Sequence, residues 1–161
     1  MVPLDAWLAD QPVCVQVAGH SMVPFLEEND RVWVASAKPE GFSIGDIIVF
    51  MRDQELVVHR VVALRPNRFL EMGDAQERGN WHSWPEHLGR VLSVRRAKGG
   101  ELDLGEASLR VASARRARLM RLRHLVSVAS DIFPAGLLRR AFRKLARPLL
   151  RPSKPFPGLD E

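Results

Sequence analysis

Two apolar runs joined by a short polar connection constrain the fold of this chain more than any other feature. The first run covers residues 46–51 and the second covers residues 55–64; Arg52 follows the first run, and Asp53 and Gln54 form the connection. Both runs have the length and the β-branched character of strands. A connection of two residues can join antiparallel strands, whereas parallel strands need a crossover of a dozen residues or more. We therefore predict a β-hairpin at this point.

Four further runs have the same strand-like composition: residues 13–18, 31–35, 68–72 and 89–94. Connections containing Gly, Pro and Asn separate them, and the polar stretch 73–85 is predicted to be a loop. Short strands with tight connections favour antiparallel pairing. We therefore predict a mainly β domain over residues 1–105, built as a coiled antiparallel sheet or a partly closed barrel.

The rest of the chain differs in both charge and periodicity. Residues 1–109 contain 11 Lys and Arg against 16 Asp and Glu, whereas residues 110–154 contain 13 against one acid, Asp131. Apolar residues recur here at spacings of three or four, which is typical of helices. They form two stripes: Leu119, Leu122, Val126 and Ala129, then Leu138, Ala141, Phe142, Leu145 and Leu149. We predict a basic α-helical extension over residues 106–152, followed by a Pro-rich tail over residues 153–161.

A basic amphipathic helix suits an anionic membrane surface or an acidic protein partner. Both are candidate partners for residues 110–150, and nucleic acid is disfavoured. The alternative is a helix that docks on the protein's own acidic β domain and leaves its Arg face in water. The sequence contains no run of about 18 apolar residues that could span a membrane, and no signal peptide is recognisable. We therefore expect a cytoplasmic location, with the protein either free in solution or peripheral to a membrane.

A polar corner at the end of the first predicted strand is the first candidate for chemistry. Its sequence is Gly19-His20-Ser21-Met22-Val23-Pro24. Gly19 permits backbone angles and close approaches that other residues do not, and Pro24 fixes the exit of the chain. The Ser21 hydroxyl is therefore expected at a strand end, where a substrate backbone could reach it.

His59 is the candidate partner of Ser21. It lies in the middle of the second hairpin strand, where a lone His is more often structural than catalytic. A serine hydroxyl is a weak nucleophile until a base takes its proton, and a neutral imidazole suits that task near pH 7. Asp74 is the nearest carboxylate at a strand end and is the first candidate to orient the imidazole.

Five short motifs in order resemble a known family. They are Gly19-x-Ser21-Met22-x-Pro24, Asn29-Asp30-Arg31-Val32-x-Val34, Gly45-Asp46-Ile47-Ile48-Val49-Phe50, Val58-His59-Arg60-Val61-Val62 and Gly73-Asp74. Together they span roughly residues 13–95 and are similar to the catalytic domains of type I signal peptidases and LexA-like serine proteases (the S24/S26 type). Histidine before Arg60, where many members carry Lys, resembles the archaeal, endoplasmic-reticulum and sporulation-type signal peptidases.

The resemblance implies a serine endopeptidase that cleaves a specific peptide or precursor protein bound as an extended strand. Ser21 would be the nucleophile, and His59 would be the general base and later the general acid. The Ser21 backbone N–H would be an oxyanion donor. Gly19, Met22 and Pro24 are the expected substrate-binding residues, and no cofactor or metal is implied.

The chain departs from the family pattern at three points. The Ser–His branch carries a further acid about six residues past the Gly-Asp motif, where this chain has Asn80. Glu77 and Asn80 are therefore alternatives to Asp74 as the group that orients His59. Gly19 replaces a hydroxyl that assists the oxyanion hole in many members. The spanning anchor of signal peptidases is not recognisable in this sequence.

A second class of function stays open because of Asn80. In this alternative, the protease-like fold is a catalytically inactive or regulatory binding module that acts through its basic helical tail. His82 and His87 lie near Trp81 and Trp84, but their spacing without a nearby Cys is a poor metal site. The two Trp side chains are expected to cover apolar surface or line the substrate groove.

Overall fold

The computed structural model describes residues 11–84 and 88–132. Its strands are β1 (Val13–Gln16), β2 (Arg31–Ser36), β3 (Ile47–Arg52), β4 (Glu55–Arg65), β5 (Arg68–Met72), β6 (Asn80–Ser83), β7 (Leu88–Arg95) and β8 (Glu101–Asp103). A short 3-10 helix covers Pro39–Gly41, and one α-helix, α1, covers Ala107–Ile132. The predicted second helix beyond Pro134, the Pro-rich tail and His87 lie outside the described residues.

The described strands form one antiparallel sheet. Their order is β1-β2-β7-β3-β4-β5-β6, and β8 pairs with the far end of β7. The predicted mainly β antiparallel fold with a helix after it is confirmed. In the part of the chain that the structure describes, the sheet is an open path that ends at β1 and β6, and it does not close into a barrel. The division of the chain into three segments stays a prediction.

The predicted hairpin is formed by β3 and β4. Arg52 pairs with Glu55, and the two residues between them, Asp53 and Gln54, have φ angles of 50° and 67°. Positive φ at both central residues is the turn geometry that matches the twist of antiparallel strands. The hairpin places His59 in the interior of the sheet, opposite Ile48 of β3.

Two strands were missed by the sequence analysis. The stretch predicted as a loop contains β6, and β8 begins directly after Gly99 and Gly100. β6 consists of Asn80, Trp81, His82 and Ser83, and it pairs with β5 at the edge of the sheet. A strand at an edge has no need of an alternating apolar pattern, so its polar sequence carried no strand signal.

The core lies on both faces of the sheet. One cluster joins Met22, Phe25 and Leu26 to the inner residues of β1, β2 and β7. A second cluster contains the aromatic rings of Phe42, Phe50 and Phe69. The third is the contact of α1 with the sheet, in which Met120 packs against residues of β4 and β5. The helix thus docks on β5 and on β4, the strand that carries His59.

The predicted apolar stripe of α1 is not the side that packs on the sheet. Leu119 and Leu122 are 43% and 46% exposed, whereas Arg116, Ala117 and Met120 are buried. The helix docks on the β domain with most of its arginines exposed, as the alternative predicted, but the packed side carries Arg116 and not the Leu stripe. The physical reason is a buried partner for Arg116, which is described below.

Candidate active site

Ser21 follows β1 and lies against the loop at the end of β5. Gly19 has a φ of +82°, a conformation that favours glycine, and it turns the chain into the Ser21 corner. The Ala75 backbone N–H donates a hydrogen bond of 2.9 Å to the Ser21 carbonyl. A Cβ on Gly73 would lie 2.5 Å from the Ser21 carbonyl oxygen and 3.1 Å from His59 Nε2. Only glycine allows this loop to approach both residues so closely.

The structure brings Ser21 and His59 together. The distance from Ser21 Oγ to His59 Nε2 is 3.1 Å, which is within hydrogen-bond range. His59 is 2% exposed, and its neighbours on the same face of β4, Val57 and Val61, are buried as well. The sheet therefore holds the imidazole in place against the serine hydroxyl.

The other ring nitrogen of His59 contacts Glu71. The Glu71 Oε2 atom lies against His59 Nδ1, and the Glu71 side chain is fully buried. Asn80 Nδ2 donates to Glu71 Oε1 at 3.2 Å, and His82 Nε2 lies 3.1 Å from the same oxygen. Arg52 Nη1 approaches this oxygen at 3.5 Å. Each carboxylate oxygen thus has its own polar partners.

The protein environment keeps Glu71 ionised. Burial by itself raises the pKa of Glu71, because a charge in a protein interior loses its hydration. The hydrogen bond and charge of His59, with the hydrogen bonds from Asn80 and His82, outweigh burial, so the pKa lies below its ordinary value of 4.5. A carboxylate in this state favours the tautomer of His59 in which Nδ1 carries the proton and Nε2 can accept one.

The group that contacts Nδ1 differs from all three sequence candidates. Asp74 was the first candidate, but its carboxylate accepts hydrogen bonds from Arg60 and Arg116. Glu77 is exposed, and Asn80 contacts the acid and not the imidazole. Two arginines neutralise Asp74, so it cannot also face His59. A signal for Glu71 was present in the sequence: it is an acid within the apolar strand β5, a place where charges occur only with partners.

Asp74 instead joins the active-site loop to α1. Arg60 donates from Nε to Asp74 Oδ1 at 2.8 Å and from Nη2 to Oδ2 at 2.9 Å. Arg116 Nε donates to Asp74 Oδ2 at 2.7 Å. All three side chains are buried. A carboxylate held by two guanidinium groups fixes the loop immediately after Gly73.

The turn at Gly45 is the second point at which α1 docks. The Ser113 hydroxyl donates to the Gly45 carbonyl at 2.6 Å, and Arg60 Nη1 donates to both Ser113 and Gly45. Gly45 has a φ of +103°, and a Cβ there would lie 2.7 Å from the Ala114 backbone nitrogen. The helix therefore packs directly on the backbone of this turn.

The expected substrate-binding residues occupy different environments. Gly19 is exposed, and a Cβ there would meet nothing within 4 Å. Pro24 is half-buried and follows a cis peptide bond. Met22 is 2% exposed and packs in the core with Phe25 and Leu26. The Met22 side chain thus packs beneath the Ser21 corner, and the substrate-binding role of Gly19, Met22 and Pro24 stays a prediction.

A family model matches the N-terminal part of the chain. Residues 3–71 match the Peptidase S24-like family model. The matched segment includes Ser21, His59 and Glu71, and it ends before Asp74. Over this segment, which is less than half of the chain, the protein is similar to S24-like peptidases. No curated protein and no solved structure matches the chain.

In residues 11–84 and 88–132, no helix combines the length and the apolar character needed to cross a membrane. The same residues contain no group of three His, Cys, Asp or Glu side chains arranged to hold a metal ion. His82, which the sequence analysis judged a poor metal ligand, contacts Glu71 and packs against the rings of Phe50 and Phe69.

Proposed function

We propose that this protein is a serine endopeptidase in which Ser21, His59 and Glu71 form the catalytic group. The observation that carries the proposal is the continuous series of contacts from Ser21 Oγ to His59 Nε2 and from His59 Nδ1 to Glu71. A nucleophile, a base and an orienting acid in this order are the parts that serine-based acyl transfer needs. The family match supports the same class of reaction.

The reaction begins when His59 Nε2 takes the proton of the Ser21 hydroxyl. The Ser21 oxygen then attacks a peptide carbonyl and forms a tetrahedral intermediate, whose oxyanion is stabilised by the Ser21 backbone N–H. The imidazolium that results is stabilised by the Glu71 carboxylate. His59 next donates its proton to the leaving amine, and the C–N bond breaks. Water, activated by the same imidazole, hydrolyses the acyl-enzyme.

The substrate would bind as an extended strand beside β1. β1 lies at the end of the described sheet, where it pairs with β2 on one side, and the chain continues from it to Ser21. A peptide that pairs with the outer edge of β1 would gain backbone hydrogen bonds and run toward the serine. We therefore propose a specific peptide or precursor protein as the substrate class, cleaved by a Ser–His site of the signal-peptidase-like kind.

A covalent trap tests the proposal. The full-length protein is treated with a fluorophosphonate, a serine-reactive electrophile, and the adduct is located by mass spectrometry. We expect labelling at Ser21, its loss in Ser21→Ala, and a rate lower by about 10²–10⁴-fold in His59→Asn. Ser36→Ala, which removes an exposed hydroxyl at the end of β2, is the matched control and should label normally.

The opposite result would favour the other class of function. If no adduct forms, or if it forms on a different serine, then Ser21 is not an activated nucleophile. In that case the inactive or regulatory binding module becomes the better account of the chain. Cleavage of a mixture of unstructured peptides, measured by mass spectrometry, is the second readout, because an endopeptidase releases fragments that Ser21→Ala does not.

A further inference from the structure

One side of α1 combines exposed apolar residues with arginines. Seven large apolar side chains are exposed among the described residues, and four of them lie on this one helix. We define the outer face of α1 as these four residues and three exposed arginines: Val111, Leu119, Leu122, Leu125, Arg115, Arg118 and Arg121. Isolated exposed apolar residues are normal on a protein surface and need no explanation. Their concentration on a single helix does need one.

The outer face follows the period of the helix. Val111, Arg115, Arg118, Leu122 and Leu125 succeed one another at spacings of four, three, four and three residues. Residues with this spacing lie on one side of a helix. Leu119 and Arg121 flank that line. The opposite side is the one held by the β domain through Arg116, Ala117 and Met120, so the orientation of the outer face is fixed.

The charge of the outer face has one sign. The helix contains six arginines and a single acid, Asp131, near its end, where Asp131 pairs with Arg78. The following residues 133–154 add seven more Lys and Arg and no acid. The surface is therefore apolar and cationic, with no anionic group of its own between Ala107 and Ser130 to neutralise it.

We propose that the outer face of α1 binds an anionic lipid surface. Apolar side chains of such a helix enter the boundary between headgroups and acyl chains, and the arginines extend to the phosphates. A second copy of the chain is a poorer occupant, because symmetric pairing would bring the arginines of both copies together. An acidic protein is also a poorer occupant, because the face is a convex line of alternating apolar and cationic residues and not a groove.

Attachment by this face would hold the catalytic group close to the lipid surface. The inner side of α1 contacts Asp74 and, through the His124 ring, the Gly79 backbone, and both lie in the segment that follows Glu71. Ser21 need not be reactive for the helix to bind. Lipid binding by α1 is thus independent of the proposed peptidase activity, and a negative result for one proposal would not contradict the other.

Vesicle co-sedimentation of the full-length protein tests the inference. The probes are phosphatidylcholine vesicles with and without about one third phosphatidylserine. We expect binding to the anionic vesicles only, and loss by about tenfold or more in Arg115→Gln/Arg118→Gln/Arg121→Gln. Leu119→Gln/Leu122→Gln/Leu125→Gln should lose binding as well, because charge alone does not anchor the helix.

Matched variants separate this surface from simple charge and from catalysis. Arg31→Gln/Arg65→Gln/Arg68→Gln removes the same charge from exposed strand positions that do not belong to α1 and should bind normally. Ser21→Ala should also bind normally. Equal loss in the strand and helix variants, equal binding to neutral vesicles, or no binding to either would overturn the inference. A dimer in sedimentation equilibrium that the Leu variant dissociates would assign the face to a second copy instead.

Discussion

Arg116 of α1 donates a hydrogen bond of 2.7 Å to the Asp74 carboxylate, and both side chains are buried. Asp74 follows Gly73, which lies against Ser21 and His59. A basic residue in the helical extension is therefore part of the support of the candidate active site. Removing the chain after Gly105 would not simply detach a tail, since it would leave the Asp74 loop without one of its two arginines.

The first prediction concerns this buried ion cluster. Asp74→Asn should destabilise the fold by about 3–5 kcal/mol, because it leaves the charges of Arg60 and Arg116 buried without a carboxylate. Arg116→Met should cost less, because Asp74 keeps its two hydrogen bonds from Arg60. Urea unfolding measures both. The control is Asp103→Asn, at an exposed position on β8, and equal losses in all three variants would contradict the prediction.

The second prediction concerns the space beside the nucleophile. Gly73→Ala adds a Cβ that would lie 2.5 Å from the Ser21 carbonyl oxygen and 3.1 Å from His59 Nε2. One or both must move, so fluorophosphonate labelling should fall by about a hundredfold, since small displacements of reacting groups have effects of that size. Gly41→Ala is the control, because its Cβ makes only an ordinary contact of 3.6 Å with Arg90. Normal labelling of Gly73→Ala would mean that Gly73 does not lie this close to Ser21 and His59.

The third prediction assigns the orienting acid. Glu71→Gln keeps the shape of the side chain but removes the charge that stabilises the imidazolium of His59. The rate of Ser21 labelling should fall by about 10²–10⁴-fold. Glu77→Gln, which changes an exposed acid that the sequence offered for the same role, should leave the rate unchanged. A larger effect of the Glu77 change than of the Glu71 change would refute the assignment.

The fourth prediction concerns the pH dependence of the helix contact. Burial, with the positive charge of Arg78, lowers the pKa of His124 below its ordinary value of 6.5. The Gly79 N–H donates to His124 Nδ1 at 3.2 Å, which requires the neutral ring. This stabilising contribution is fully present above pH 6.5 and is lost as the pH falls through the lowered pKa. Protection factors of the amides in the second half of α1, which correct for the intrinsic rate of exchange, should therefore fall as the pH is lowered through that pKa.

An NMR titration of the His124 ring supplies the direct measurement. Its pKa should lie below 6.5 and should rise in Arg78→Gln, because a nearby positive charge is removed. Arg65→Gln, which removes an exposed charge from the end of β4, should not change it. A pKa at or above 6.5 in the unmodified protein would mean that the ring is not held in its neutral form.

The main elements could be predicted because their signals are local. The β3–β4 hairpin follows from two apolar runs and a two-residue turn, and the approach of Ser21 to His59 was expected from a strand-end hydroxyl and a mid-strand base. Glu71 and Asp74 are three residues apart, and sequence alone does not say which of them faces the imidazole. That choice depends on Arg60 and Arg116, which reach Asp74 only in the folded chain.

The orientation of α1 could not be predicted for a related reason. Its apolar periodicity identified Leu119 and Leu122 as part of one stripe, but it did not say whether a membrane, a partner protein or the β domain would contact that stripe. The folded helix instead buries Arg116, because Asp74 offers it a partner, and the small Ala117 allows close approach to the sheet. A tertiary ion pair thus outweighs the local pattern, as tertiary contacts commonly do when periodicity is weak. β6 was missed because an edge strand needs no apolar face.

The docking of α1 on the Gly45 turn and on Asp74 has a consequence for biosynthesis. Synthesis proceeds from the N-terminus. Ser21, His59 and Glu71 therefore leave the ribosome well before Arg116 does. A nascent chain that ends at β8 has the reacting residues but not the helix that holds the loop beside them. We expect peptidase activity to appear only after translation has passed α1, so an incomplete chain would not cleave proteins near the site of its own synthesis.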